Sequence, residues 1–240
     1  MANVIGQRLA GNLIYLDRAK HLRRVIDAIG PDVIKFHERF LQPLLTAADA
    51  PVNWTVTLVE GGAGESTITK PDGVDSGLLF TTDAAEDDGI NAQWKGEPFK
   101  LNANCKALYF YARLQASTAA QIDWLIGLCI TDTTLLGGMS DGIYFEKLDG
   151  NTTISCTTEK DSTETQTDSV ATVTAATDVE LEFYYDGTAV EFFVDGVSVA
   201  RHTANICDDE DLTPSIHVLA GDANARTVTV KEMRAIQIGY

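Results

Sequence analysis

Three closely spaced acidic residues are the first candidates for chemistry in this sequence. Glu159, Asp161 and Glu164 form the pattern Glu-x-Asp-x-x-Glu. Two carboxyl groups on opposite sides of a glycosidic bond can hydrolyse it, and retaining enzymes hold them roughly 5–5.5 Å apart. Here the intervening residues are polar, and they predict an exposed loop over 161–168 that lacks the apolar neighbours needed to raise an acid's pKa. We therefore predict that the protein is not an enzyme and has no catalytic residues.

No other pattern in the chain carries metal or cofactor chemistry. The sequence contains no nucleophile elbow, no His-Glu-x-x-His motif and no phosphate-binding glycine loop. The four cysteines match no zinc spacing and are predicted to be reduced. We predict no cofactor and no metal site. The alternative is calcium, which the oxygen-rich loops 83–88 and 208–211 could bind.

The first fifty residues differ in pattern from the remainder. Apolar residues recur at helical spacing from Asp17 to a Gly-Pro pair, and again from Asp32 to Pro43. This spacing predicts a helical N-terminal arm over residues 1–50. Short amphipathic helices cannot bury both faces alone, so we expect the arm to pack on the body or on a neighbour.

The remainder, residues 51–240, follows the period of a β-strand. Trp54, Val56 and Leu58 alternate with polar residues, and longer stretches such as Val179–Tyr185 and Thr227–Ile238 are typical of strands. Asp-Gly pairs, which suit tight hairpin turns, punctuate the chain. The pattern predicts a single domain of the mainly β class, an antiparallel β-sandwich of the jelly-roll type.

Charge separates the arm from the body and constrains the partners. The net charge is −17 and the isoelectric point about 4.4, which disfavours nucleic acid. The apolar runs are too short for a membrane span, and the N-terminus lacks the apolar region of a signal peptide. The arm is basic, so we expect it to dock on another protein. The candidate partner-contact residues are Arg18, Lys20, Arg23, Arg24, Phe36, Arg39 and Phe40.

Part of the body resembles a known superfamily. Residues Phe183–Arg201 contain Val-Glu-Phe-Phe-Val-Asp-Gly-Val-Ser-Val, which is similar to the late hairpin of concanavalin A-like sandwich domains. The segment Ala107–Leu114, followed by Ile-Gly-Leu, looks like the core strand pairing of that superfamily. The Glu-x-Asp-x-x-Glu spacing is similar to that of glycosidases of the laminarinase type, which share a sandwich of this class. These resemblances imply the fold.

The whole chain, a basic arm on an acidic β body, also resembles decoration or cement proteins of tailed-bacteriophage heads. This resemblance implies a structural protein of the virion that stabilises the assembled capsid. Its partners would be the major capsid protein, or another virion protein, and sister copies in a homotrimer, and assembly would take place in the host cytoplasm. The alternative is a lectin-like carbohydrate-binding module, or a tail or receptor-binding component, gripping glycan with exposed tyrosines and acidic loops. A glycoside hydrolase using Glu159 and Glu164 is the third hypothesis.

Overall fold

Every regular element of the described chain is a β-strand. The computed structural model describes residues 4–41, 51–61 and 64–240. Within these residues there is no helix capable of crossing a membrane. The strands are β1 Val4–Leu9, β2 Asn12–Asp17, β3 Val25–Ile29, β4 Val33–Glu38, β5 Trp54–Val59, β6 Thr67–Thr69, β7 Leu78–Thr81, β8 Gly89–Trp94, β9 Ala107–Ala116, β10 Ile122–Cys129, β11 Gly142–Lys147, β12 Thr153–Lys160, β13 Thr163–Thr172, β14 Val179–Tyr185, β15 Val190–Val194, β16 Val197–His202, β17 Thr213–Ala220 and β18 Thr227–Ile238.

Two antiparallel sheets form a sandwich. One sheet has the order β13-β12-β11-β10-β17-β8-β5, and the other has the order β16-β15-β14-β9-β18-β7-β6, with β4 also paired to β18. Alternate side chains of both sheets meet in the main core. Phe183 stacks on Phe110 and packs against Phe192, which in turn meets Phe145 edge-on. The predicted antiparallel β-sandwich is confirmed.

The predicted helical arm is wrong, because residues 4–29 form a three-stranded sheet, β1-β2-β3. Burial alternates along β2, where Ile14 and Leu16 face inward. Together with Val25 and Ala28 they pack on Tyr109 and its neighbours, on the outer face of the eight-stranded sheet. Tertiary packing overrides the local helical spacing of these residues, because the N-terminal strands cover the apolar outer face of the eight-stranded sheet.

The second predicted helix is also replaced by a strand. Strand β4 pairs with β18 from Met233↔Glu38 to Ile238↔Val33 and so belongs to the sandwich. Phe36 and Phe40 are buried in the main core beside Trp54, with ring centroids 5.9 and 6.1 Å away. The predicted end of this helix at Pro43 lies outside the described residues.

The predicted polar loop at 161–168 is mostly a strand. Asp161 and Ser162, with φ of 52° and 58°, form a two-residue turn, and β13 then runs antiparallel to β12. Two successive residues with positive φ match the twist of a hairpin. The polar residues of this segment predicted a loop, but they belong to an edge strand, β13, whose residues are mostly exposed.

Candidate functional site

The outer face of the seven-stranded sheet is polar and carries the candidate site. The strand pairings place alternate residues of β10, β11, β12 and β17 on this face, opposite the main core. The same alternation extends to β13, β8 and β5 at the two edges. We call this surface the polar face; its polar members include Thr55, Thr57, Asn91, Gln93, Ser215, His217, Tyr144, Glu146, Ser155, Thr157, Glu159, Glu164, Gln166 and Asp168.

A loop, residues 130–141, lies across the middle of the polar face. The Gln93 side chain donates to the carbonyl of Ile130 at 2.8 Å and accepts from the backbone N–H of Asp132 at 3.0 Å. Leu135 and Met139 of the loop pack on apolar atoms of the same face. The loop leaves a cavity of about 330 Å³ on the β5–β8 side and one of about 300 Å³ over β11–β13. We call these the first and the second cavity.

Four carboxylates lie on the polar face over β11, β12 and β13: two of them line the second cavity, and the other two contact the neighbouring Tyr144. The Tyr144 hydroxyl lies 3.1 Å from Oε2 of Glu159 and 3.5 Å from Oε1 of Glu164, which face each other across β12 and β13. Gln166 donates to Glu146, and Ser155 donates to Asp168 at 3.1 Å. We call Glu146, Glu159, Glu164 and Asp168 the acidic cluster.

A glycine makes room for the central tyrosine. Gly127 of β10 lies directly opposite Tyr144 of β11. A Cβ atom at Gly127 would come within 2.6 Å of the Tyr144 Cα atom and 2.7 Å of its Cβ atom. Only glycine therefore allows the approach that this part of the polar face requires.

Two members of the acidic cluster, Glu146 and Glu159, hold a proton more tightly than an ordinary glutamate does. Burial, together with the charges of Glu164, Asp168 and Glu159, raises the pKa of Glu146 to about 7. Burial and the charge of Glu164 also raise the pKa of Glu159, against the opposing hydrogen bond from Tyr144. A carboxyl group whose pKa is raised in this way can serve as a proton donor near neutral pH.

The structure brings together two of the three acidic residues singled out in the sequence. Glu159 is 5% exposed and Glu164 is exposed, and the two form a cross-strand pair. Asp161 lies in the turn, where its backbone N–H donates to Asp141. Tyr144 and Glu146 were missed; their alternation with buried Ile143 and Phe145 was the available signal.

Two groups of side chains have the donors of a metal site. Asp141, Cys207 and Asp209 form one group, and Glu60, Asp83 and Asp88 form the other. In the first group Asp209 pairs with Lys160 at 3.2 Å, and Asp141 accepts from Ser140 at 2.7 Å. Side chains of the protein thus already provide partners for two carboxylates of the first group.

The candidate contact residues of the arm lie largely against the protein itself. Arg24 is 8% exposed; it lies 3.2 Å from Glu180 and 3.4 Å from the fully buried Glu182. Lys20 also pairs with Glu180, and Arg23 pairs with Glu191. The remaining candidates divide into buried residues, Phe36 and Phe40, and exposed ones, Arg18 and Arg39. Their role as partner contacts stays a prediction.

Two tyrosines of β9 that could have stacked on a glycan, Tyr109 and Tyr111, are covered by the N-terminal sheet. Tyr109 and Tyr111 are 1% and 4% exposed on the outer face of the eight-stranded sheet. The guanidinium of Arg24 lies 4.9 Å from the centre of the Tyr111 ring, and that of Arg234 lies 5.6 Å from the centre of the Tyr109 ring. These rings are therefore structural.

Solved structures share this fold at low sequence identity. A protein of unknown function, SO2946 from Shewanella oneidensis MR-1, has a TM-score of 0.59, with 12% identity and 88% of each chain covered. The metal-free carbohydrate recognition domain of Emp46p has a TM-score of 0.55, with 11% identity over 82% of this chain and 94% of that one. The catalytic domain of a laminarinase from Thermotoga petrophila RKU-1 has a TM-score of 0.59, with 10% identity over 85% and 96%.

These neighbours confirm the jelly-roll or concanavalin A-like fold and correct one prediction. The prediction that the protein is not an enzyme is overturned, because endoglucanases use the same sandwich. The neighbours include a carbohydrate recognition domain and endoglucanases, and the bacteriophage capsid role receives no support from them. The predicted capsid partners, homotrimer and virion location stay predictions.

Family membership rests on a match in sequence. A search of the curated proteins found no match. The family described as "SO2946-like, C-terminal domain" matches residues 81–238, which span β8 to β18 and include the whole acidic cluster. Because this match covers well over half of the sequence, the chain belongs to the SO2946-like C-terminal domain family.

Proposed function

We propose that the protein binds a carbohydrate on the polar face, in the second cavity. The observation that carries the proposal is the set of hydrogen-bonding side chains that line this cavity. Glu146, Ser155, Gln166 and Asp168 come from three neighbouring strands and line it together. Carboxylate and amide groups side by side can accept from and donate to adjacent hydroxyl groups, which is the pattern that a sugar ring presents.

The rigidity of the cavity supports the proposal. Its hydrogen-bonding side chains Glu146, Gln166 and Asp168 stand on paired strands, so little ordering of these groups is needed when a ligand binds. Its volume of about 300 Å³ is at the lower end of the range for small-molecule sites. A carbohydrate recognition domain is also among the neighbours in fold, which agrees with this class of ligand.

A binding experiment tests the proposal. Glucans and a panel of other oligosaccharides would be titrated into the full chain by calorimetry. Gln166→Ala together with Asp168→Ala should weaken binding at least about tenfold, since each removes a hydrogen bond to the ligand. Thr57→Ala in the first cavity is the matched control and should bind as the wild type does. Absence of binding to every sugar, or an unchanged affinity in the double variant, would reject the site.

Hydrolysis of the bound carbohydrate is a second candidate function, favoured by the cross-strand pair of glutamates. Glu159 is buried and its raised pKa suits a general acid, while Glu164 is exposed and suits a nucleophile. In that reaction Glu159 would protonate the leaving oxygen while Glu164 forms the glycosyl ester, which water then cleaves. Endoglucanases among the neighbours in fold agree with this chemistry.

Substitution of the pair separates binding from catalysis. If the protein hydrolyses a glucan, Glu164→Gln and Glu159→Gln should each lower kcat/KM about 10²- to 10⁴-fold. Glu159 and Glu164 adjoin the second cavity on β12 and β13 but do not line it, so both variants should still bind the sugar. Glu97→Gln, which changes a glutamate in the loop after β8, serves as the control. Undiminished hydrolysis in Glu164→Gln would end the catalytic hypothesis and leave the binding proposal in place.

A further inference from the structure

Three carboxylates gather at one end of the sandwich, away from the acidic cluster. Glu60 follows β5 and Asp88 precedes β8, two paired strands of the seven-stranded sheet. Asp83 follows β7 of the eight-stranded sheet. One oxygen atom of each residue lies within 4.8 Å of the other two. The group therefore connects both sheets.

Backbone contacts hold these carboxylates in place. The N–H of Gly61 donates to Oδ1 of Asp88 at 2.5 Å, and the N–H of Ser66 donates to Oε1 of Glu60 at 2.8 Å. The Ser66 hydroxyl accepts from the backbone N–H of Asp83 at 3.0 Å. A Cβ atom at Gly64 would overlap the Asp83 carboxylate, so this close approach also requires a glycine.

The negative charge of the group is not balanced by the described part of the protein. Asp88 is 2% exposed, and its Oδ2 atom has no hydrogen-bond partner among the described residues. The Oε2 atom of Glu60 is also buried and has no hydrogen-bond partner among the described residues. No ion pair in residues 4–41, 51–61 and 64–240 involves any of the three carboxylates. Burying unpaired carboxylates is strongly unfavourable unless a cation joins them.

We propose that Glu60, Asp83 and Asp88 bind a hard divalent cation, with calcium the ion that fits best. All the side-chain donors are carboxylate oxygens, which suit calcium and magnesium and not the softer transition metals. The three residues come from irregular segments, and calcium tolerates irregular geometry whereas magnesium demands a near-ideal octahedron. The bound ion ties the ends of β5, β7 and β8 together across the two sheets. This inference does not depend on the proposed carbohydrate site.

Titration of the metal alone tests the site. The full chain would be freed of metal with EDTA and titrated with CaCl2 and, separately, with MgCl2 by calorimetry. We expect one calcium ion per chain and a higher Tm in calcium than in EDTA. Asp88→Asn keeps an acceptor for the Gly61 N–H but loses the charge, and should weaken calcium binding by about tenfold or more. Asp209→Asn changes the other carboxylate group and should bind calcium as the wild type does.

Several results would overturn the proposal. These are the absence of calcium binding at millimolar concentration, an unchanged affinity in Asp88→Asn, and a preference for magnesium. If Asp88→Asn does not fold, Glu60→Gln provides the same test, because its amide oxygen can still accept from the Ser66 N–H. A calcium affinity that is lost in Asp209→Asn would place the ion at the Asp141, Cys207 and Asp209 group instead.

Discussion

At the scale of single residues, the unusual feature is a group of acids that the fold partly withdraws from water. Glu146 stands on a central strand among three other carboxylates, and its pKa of about 7 reflects burial first and their charges second. A surface glutamate on an edge strand would titrate near its ordinary value of 4.5. Burying the Glu146 carboxyl group among other carboxylates lowers the stability of the folded state, and a loss of this kind is typical of functional sites.

The first prediction concerns the stability of the protein against pH. Because the folded pKa of Glu146 is raised from 4.5 to about 7, the folded state holds a proton that the unfolded state has released between these values. The free energy of unfolding should therefore fall as pH rises from about 4.5 to about 7, and Glu146 should account for at most about 3 kcal/mol of that fall. Glu146→Gln should flatten this part of the profile, as measured by urea unfolding.

The control for this profile is Glu86→Gln, which changes an exposed glutamate in the loop before β8. It should leave the pH profile unchanged. A Glu146→Gln profile that follows the wild type from pH 4.5 to 7 would show that the acidic cluster is open to water.

At the scale of elements, the N-terminal sheet is attached by buried charges as well as by apolar contacts. Arg24 lies between Glu180 and Glu182, and the Tyr109 hydroxyl donates to Glu182 at 2.7 Å. Burial alone would raise the pKa of Glu182, but hydrogen bonds from His21 and Tyr109 and the charge of Arg24 hold it below its ordinary value. The basic residues of the arm thus neutralise glutamates of the body.

The second prediction is that Glu182→Gln destabilises the attachment of this sheet. The substitution removes the fully buried charge that faces the Arg24 guanidinium and leaves only the more exposed Glu180 as its partner, which should cost about 3 kcal/mol. Hydrogen exchange of β2 and β3 should become faster than in the wild type. Glu191→Gln, which breaks the more exposed pair with Arg23, should cost about 0.5 kcal/mol. Equal losses in the two variants would contradict a dominant role for the buried pair.

At the scale of the whole molecule, the N-terminal segment is built into the sandwich. Strand β4 lies beside β18, and Phe36 fits between Trp54 and Trp94, with ring centroids 5.9 and 5.5 Å away. Residues on both sides of the predicted boundary at 50/51 therefore share one core. A core of this kind should unfold as a unit.

The third prediction follows from that shared core. Phe36→Ala should lower the free energy of unfolding by about 3–5 kcal/mol, because it opens a cavity beside two tryptophans. The transition followed by tryptophan fluorescence should shift together with the one followed by circular dichroism. Leu22→Ala, at a site 57% exposed in the same segment, should change stability by less than about 0.5 kcal/mol. A small loss in Phe36→Ala, or two separate transitions, would mean that the segment folds independently of the body.

The sequence alone determined the fold of the body, because alternation is a local property that follows from strand geometry. The ranges predicted for β14 and β18, Val179–Tyr185 and Thr227–Ile238, agree with the structure, and the hairpin in Phe183–Arg201 resembled that of a superfamily with this fold. The acidic pair Glu159 and Glu164 was also visible as a motif.

Only the tertiary structure decided what surrounds these residues. Apolar spacing in residues 17–40 fits helices locally, but Phe36 and Val25 become strand residues because neighbouring sheets supply the surface that covers them. The polarity of β13 indicated a loop until its pairing with β12 placed Glu164 opposite Glu159. Burial, charge proximity and pKa depend on residues distant in sequence, and spacing along the chain does not contain that information.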